Sequence, residues 1–126
     1  MIERIGQIAM TVGELPRAVA FYRDVLGLRF LFEAPPAMAF FECGGTRLML
    51  SLPERDGAAA GQPYHAIVYY AVADIQAAAR EIEGRGGVFE QAPHIVARLP
   101  RADLWIGFLR DPDGHLLAIM SEVPKG

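Results

Sequence analysis

The chain repeats itself at a spacing of 60 residues, and this duplication constrains its fold more than any other feature of the sequence. The segment QIAMTVGELPRA aligns with IVYYAVADIQAA, which matches Val12 to Val72 and Glu14 to Asp74. Later in the chain, GTRLMLS aligns with GHLLAIMS once a gap of one residue is allowed. Such self-similarity indicates two copies of one supersecondary unit.

The first copy is predicted to follow the order β-α-β-β-β. RIGQIAMTV favours a strand, and GELPRAVAFYRDVLG favours a helix with Pro16 in its first turn and Gly27 at its end. The segments LRFLFE, MAFFEC and TRLMLSL are typical of strands. They are separated by Pro35-Pro36 and by Gly44-Gly45, and the glycine pair predicts a tight hairpin.

The second copy is predicted to repeat the same order after a turn-rich linker. A strand over Tyr64–Val72 leads into the helix ADIQAAAREIEGRG, for which Asp74 is the N-cap candidate. Three more strands are expected around VFE, LWIGFL and HLLAIM. We therefore expect an α+β fold in one domain, with module one at 1–52, the linker at 53–63 and module two at 64–126. Each copy alone buries little, so the two sheets are expected to pack or curl together around a shared cavity.

Composition argues against nucleic acid and membranes as partners and favours a cytoplasmic location. The net charge is −3, with 12 Lys and Arg against 15 Asp and Glu, which provides no basic field for nucleic acid or anionic lipid. The apolar run from Ala66 to Ala73 is too short to cross a bilayer, which needs about 20 residues. The N-terminus lacks the layout of a secretion signal. The single Cys43 excludes an internal disulfide and favours a reducing cytoplasm.

The segment FLRDPDGHLLAIM predicts a hairpin near the end of the chain. Asp111, Pro112 and Gly114 occupy the first, second and fourth positions of a type I turn pattern. The apolar segments on either side favour two strands. The motif is thus explained as a corner, and whether Asp113 and His115 also form a site is left open.

Three of these features together resemble the vicinal oxygen chelate superfamily, which comprises glyoxalases, bleomycin-resistance proteins and extradiol dioxygenases. They are ELPRAVAFYRDVLGL, the repeated β-α-β-β-β plan and FLRDPDGHLL, and the resemblance covers nearly the whole chain. It implies a curved sheet around a small-molecule site and usually a homodimer. Because one fold hosts many chemistries, the resemblance does not by itself identify an activity.

The resemblance also implies four positions for the ligands of a divalent metal ion. In this chain those positions hold Gln7, Met49, Ile67 and Ala118. Isoleucine and alanine have no donor atom, a thioether is a soft ligand, and an amide oxygen is a weak neutral one. The sequence therefore predicts no metal and no other cofactor at this site.

The same positions are candidates for a metal-free binding site. Met49, Ile67 and Ala118 with Gln7 would form an apolar pocket with an isolated polar group, which is typical of small-molecule sites. The alternative is that these residues only fill the interior. Two further candidates share strand parity with these positions: Arg47 with Met49, and Tyr69 with Ile67.

The segment PHIVARLPRADLW is predicted to be an irregular binding loop. Arg98 and Arg101 in it would clamp a carboxylate or a phosphate, or would lie solvated at the surface. Trp105 is either a core residue or a wall for a planar ligand, and neighbouring Gly107, which leaves space beside it, favours the wall.

Two alternative sites are left open by the sequence. A displaced metal site would use His65 with His94 or Glu122, although scattered histidines are more often structural. Cys43 would be a nucleophile only if a base or a cation stabilised its thiolate, and a small buried thiol is the simpler interpretation.

These observations favour a metal-free protein that binds a small, partly planar organic molecule. The alternative is a lyase or dioxygenase of the same superfamily, with a relocated metal or an acid–base route through His65, His94 or Tyr69. A third possibility is a domain that binds other proteins and has no ligand cavity. The loss of all four ligand positions favours the first function, because it removes the Lewis acid.

Overall fold

Two four-stranded sheets dominate the protein, one in each of the two units into which the chain divides, Met1–Pro63 and Tyr64–Gly126. The computed structural model describes residues 1, 3–34, 37–53 and 67–125. The predicted α+β class is confirmed, since each sheet is mixed and each unit has one helical segment.

In the first unit the elements follow the predicted order. They are β1 (Gln7–Thr11), α1 (Leu15–Ala20) with a π-helical continuation (Phe21–Val25), β2 (Arg29–Ala34), β3 (Met38–Cys43) and β4 (Thr46–Ser51). The spatial order is β1-β4-β3-β2, with β1 parallel to β4 and the other pairs antiparallel.

The turn chemistry of the first unit matches its sequence. Pro16 lies in the first turn of α1, and Gly27, with a φ of 74°, follows the helical segment. Gly44 and Gly45 have φ values of 57° and 92°, as a two-residue hairpin of type I′ requires. The periodicity predicted one continuous helix, whereas its second half is π-helical.

One face of the first sheet packs against α1 and forms a hydrophobic core. Leu48 and Leu50 point to this face, where Phe41 and Tyr22 are fully buried. The Tyr22 hydroxyl donates to the sulfur of Met10 at 3.7 Å, which gives this buried phenol a polar partner. The alternate residues of β4 therefore lie on the opposite face.

The second unit repeats this arrangement. It contains β5 (Val68–Ala71), α2 (Ile75–Gly84), β6 (Phe89–Arg98), β7 (Ala102–Arg110) and β8 (Leu116–Pro124), in the spatial order β5-β8-β7-β6. The N-cap prediction is confirmed, because an Asp74 carboxylate oxygen accepts from the Ala77 amide at 3.1 Å. The identical strand order of the two sheets agrees with the duplication in the sequence.

The prediction of an irregular loop over PHIVARLPRADLW is wrong. These residues belong to β6 and β7, which are joined by a tight turn in which the Leu99 amide donates to the Ala102 carbonyl at 2.8 Å. The mixed polarity that suggested a loop is the alternation of a strand with one exposed face. Pro93 is accommodated because β6 is an edge strand with register shifts.

Part of the predicted linker and strand lies outside the described residues. This applies to 54–63 of the linker and to 64–66 of the strand before β5. In the part of the chain that is described, no helix is long and apolar enough to span a membrane.

Candidate functional site

Three of the predicted site residues lie together on the face of the first sheet that points away from α1. Gln7 on β1 is the register partner of Arg47 on β4, and Met49 lies two residues further along β4. The Gln7 side-chain amide donates to the Met49 sulfur at 3.9 Å. Gln7 and Arg47 are exposed, whereas Met49 is half-buried.

Two phenylalanines that sequence reasoning missed complete this face. The Phe40 ring, on the residue paired with Met49, lies 5.4 Å from the carbon of the Arg47 guanidinium. The Phe32 ring packs against Phe40 at 4.8 Å between centroids, with the planes 31° apart. Phe32 is 46% exposed, although it is a large apolar residue. The strand parity of Phe40 with Met49, once β3 is paired to β4, is the signal that would have found it.

The face of the second sheet that carries Ala118 is apolar. Ala118 is fully buried between its register partners Tyr69 and Phe108, whose rings meet edge to face at 6.0 Å. Tyr69 is 42% exposed, and Ile67, directly before β5, is also exposed. The predicted residues Tyr69 and Ala118 are thus brought together.

Trp105 lies on the other face of the second sheet. It pairs with Ser121, whereas Ala118 pairs with Phe108, and the regular β7–β8 register places these two pairs on opposite sides. The space beside Gly107 is also filled, because a Cβ there would lie 3.1 Å from both Phe89 and Pro93. Gly107 therefore leaves no room for a ligand beside Trp105, contrary to the expectation from the sequence.

The remaining polar candidates are dispersed. The Arg98 guanidinium lies 3.3 Å from the Asp103 carboxylate near the β6–β7 turn, and Arg98 is exposed. His94 Nδ1 lies 2.8 Å from the carbonyl of Ala92, and Glu122 is exposed on β8. His65 lies outside the described residues. Over the described ranges, no group of three His, Cys, Asp or Glu side chains is arranged to hold a metal ion.

The side chains at the four positions implied for metal ligands do not fit a divalent metal ion. Gln7 and Met49 contact each other, and neither carries the negative charge that a hard dication requires. Ala118 offers no donor atom and is covered by two rings, and Ile67 is also without a donor.

The Asp111–Gly114 segment is a turn that is held by hydrogen bonds of the buried Asp111 carboxylate, here called the Asp111 lock. One Asp111 carboxylate oxygen accepts from the amides of Asp113 and His115, both at 2.9 Å. The other oxygen lies 2.6 Å from His115 Nδ1, and both side chains are almost completely buried. Gly114, with a φ of 85°, completes the predicted turn. These bonds fix the β7–β8 hairpin.

Cys43 lies at the end of β3, half-buried and reduced. Burial of the thiol, and to a lesser extent the charge of Glu42, raises the pKa of Cys43. A raised pKa keeps the sulfur protonated at neutral pH, and a thiol is a poor nucleophile. The environment of Cys43 therefore disfavours a catalytic role.

Comparison with known proteins agrees with this architecture. A family model described as the Glyoxalase/Bleomycin resistance protein/Dioxygenase superfamily matches residues 4–119. No curated protein matches the chain.

Similar solved structures include a superfamily member from Sphaerobacter thermophilus, at 24% identity and a TM-score of 0.77, covering 96% of this chain and 98% of that one. A lactoylglutathione lyase from Agrobacterium tumefaciens is 24% identical with a TM-score of 0.70, covering 96% and 95%. A glyoxalase-related enzyme from Fulvimarina pelagi is 20% identical with a TM-score of 0.74, covering 95% and 88%. At these identities the likeness establishes the fold alone.

Proposed function

The chain belongs to the Glyoxalase/Bleomycin resistance protein/Dioxygenase superfamily, and we propose that it binds a small organic molecule without a metal ion. Each sheet has one face with proposed contact residues: Gln7, Arg47 and Met49 in the first unit, and Ile67 and Tyr69 in the second, where the Tyr69 ring covers the buried Ala118. Such faces combine apolar area with a few polar groups, which is the usual composition of a ligand site.

The observation that carries the proposal is the contact between Gln7 and Met49. Two of the four positions implied for metal ligands are filled by neutral side chains that bond to each other. The third, Ala118, is buried beneath aromatic rings, and the fourth, Ile67, is aliphatic. The alternative function is a lyase or dioxygenase of the same superfamily with a relocated metal or a metal-free acid–base route, and no contact among the described residues favours it.

Four further properties belong to the proposal. We propose one domain with modules at 1–52 and 64–126, which forms a homodimer, the usual assembly implied by the family resemblance. The single Cys43 supports a cytoplasmic location, because a reducing compartment suits a free thiol. The net charge of −3 supports a partner other than nucleic acid.

Native mass spectrometry of untagged protein, purified without chelators, tests the absence of a metal. We expect a dimer without metal, both as purified and after incubation with one equivalent of Zn²⁺, Ni²⁺ or Mn²⁺ followed by dialysis. An organic adduct that is released on denaturation would support the proposal and give the ligand mass. A metal ion retained at one per chain would overturn it.

Binding is tested separately with a library of planar fragments and ligand-observed NMR. We expect fragments whose binding signals weaken with Met49→Ala and persist with Arg80→Gln, a surface control at an exposed position of α2. A folded protein without hits, or hits unaffected by Met49→Ala, would refute binding at this face.

A further inference from the structure

We propose that the first sheet binds a planar aromatic carboxylate on the face formed by Gln7, Phe32, Phe40, Arg47 and Met49, here called the basic–aromatic face. The ring would lie against the phenylalanines and Met49, and the carboxylate would lie beside the Arg47 guanidinium. This inference rests on the proposed function and adds the chemical class of the ligand.

The charge of the basic–aromatic face favours an anion. A row of register partners across the sheet places Arg29, Glu42 and Arg47 side by side, so two guanidiniums flank one carboxylate. One oxygen of that carboxylate accepts from the Gly45 amide at 2.6 Å, which holds the Glu42 side chain toward the hairpin turn. Among the described residues, none of the ion pairs involves Arg47. Its fork of donors is therefore available to a ligand carboxylate.

The apolar half of the face favours a ring. Phe32 keeps 46% of its surface exposed while its ring packs against Phe40 at 4.8 Å. The Arg47 guanidinium lies 5.4 Å from the Phe40 ring centre, so positive charge and aromatic surface adjoin. A flat ligand that covers Phe32 would remove this apolar area from water, and aromatic pairs gain from stacking or edge contacts.

The Gln7 side-chain amide can donate a hydrogen bond to a ligand carboxylate. Its side-chain amide now donates to the Met49 sulfur at 3.9 Å, and a thioether is a weak acceptor. A carboxylate oxygen is a stronger acceptor for the same N–H. Gln7 is also the register partner of Arg47, so both donors serve the same end of the ligand.

Isothermal titration with 2-naphthoate and with the neutral 2-naphthylmethanol tests the ligand class. We expect 2-naphthoate to bind the wild type, and Arg47→Gln to weaken it by about tenfold, because a hydrogen bond to a charged group is lost at an exposed site. The same variant should leave the weak binding of the alcohol unchanged. Arg80→Gln, at an exposed position of α2, should bind both probes like the wild type. Circular dichroism establishes that each variant is folded.

The possible outcomes separate this inference from the proposed function. If the alcohol binds as tightly as the acid, or if Arg47→Gln binds naphthoate like the wild type, the carboxylate class is wrong and small-molecule binding stands. If inorganic phosphate displaces naphthoate at equal concentration, the face is a simple anion site and the inference fails. If neither probe binds the folded wild type, the inference fails, and the fragment screen decides the proposed function separately.

Discussion

Replacing Asp111 with alanine should strongly destabilise the protein, because its carboxylate holds the turn between β7 and β8. The carboxylate accepts two backbone amides at 2.9 Å and faces His115 Nδ1 at 2.6 Å, with both side chains at most 1% exposed. Hydrogen bonds to a charged group contribute about 1.5–3 kcal/mol each. Water can reach the turn after the substitution and replaces some of these hydrogen bonds. We therefore expect the free energy of unfolding to fall by about 3–5 kcal/mol, as it does when a buried ion pair is broken.

Thermal and urea unfolding, followed by circular dichroism, measure this loss. For a chain of this size about 1 kcal/mol corresponds to roughly 4 °C, so Asp111→Ala should lower the Tm by about 10–20 °C. Asp111→Asn keeps one oxygen for the two amides and should lose about half as much free energy of unfolding. Asp24→Ala is the matched control, because its ion pair with Arg23 is about half exposed and contributes about 0–1 kcal/mol.

If the free energy of unfolding of Asp111→Ala lies within about 1 kcal/mol of that of Asp24→Ala, the Asp111 lock is refuted. It would mean that the turn residues alone, Pro112 and Gly114, hold the hairpin. Equal losses for Asp111→Ala and Asp111→Asn would instead assign the stability to the imidazole contact, because both variants remove the negatively charged partner of His115 Nδ1.

Three other predictions concern single positions. Gly107→Ala should lower the free energy of unfolding by about 1–3 kcal/mol, because the new methyl would lie 3.1 Å from Pro93. Gly84→Ala, which has open space at a helix end, should be neutral or stabilising in the same denaturation assay. Equal effects of the two substitutions would contradict the close packing around Gly107. Cys43 should react with iodoacetamide more slowly than free cysteine at pH 7, and its rate should still be rising above pH 9, because its pKa is raised; a fast reaction at pH 7 would contradict burial. Asp74→Ala should cost about 1 kcal/mol by loss of the α2 N-cap, and no change in urea midpoint would argue against the cap.

The sequence predicted the elements of the fold well because local signals and the duplication support each other. Pro16, Gly27 and Asp74 fix helix ends through local backbone chemistry, and the structure has them at those ends. Strands around VFE and LWIGFL were expected, but the part of β6 and β7 next to their turn was taken for a loop, because exposed residues such as His94 and Arg98 alternate there with the half-buried Ile95 and Ala97. Polarity alone does not separate such an edge strand from a loop.

From the sequence, site residues could be assigned to a common face only within a single strand. Arg47 and Met49 share a face because side chains alternate along one strand. Phe32 was missed because an irregularity between Phe30 and Phe32 shifts the β2–β3 register, which no local pattern reveals. The face on which Trp105 lies depends on its pairing with Ser121 across the sheet, which is a long-range property.

The two sheets differ at the same register position because the neighbouring side chains differ. In the first sheet, Met49 lies between a small residue, Ala9, and a ring, Phe40, so the central side chain is long and half-buried. In the second, Ala118 lies between two rings that contact each other, so the central side chain is the smallest possible.

A carboxylate at Ala118 would have to displace those rings or be buried beside them, at a cost of several kcal/mol for an unpaired charge. A carboxylate at Met49 would meet Gln7 and Arg47 instead, on a partly open face. An acid introduced at Met49 alone would therefore not create a four-ligand metal site, because the Tyr69 and Phe108 rings occupy the space beside Ala118. The two sheets thus differ at this position: the face at Met49 carries polar side chains, and the face at Ala118 is covered by aromatic rings.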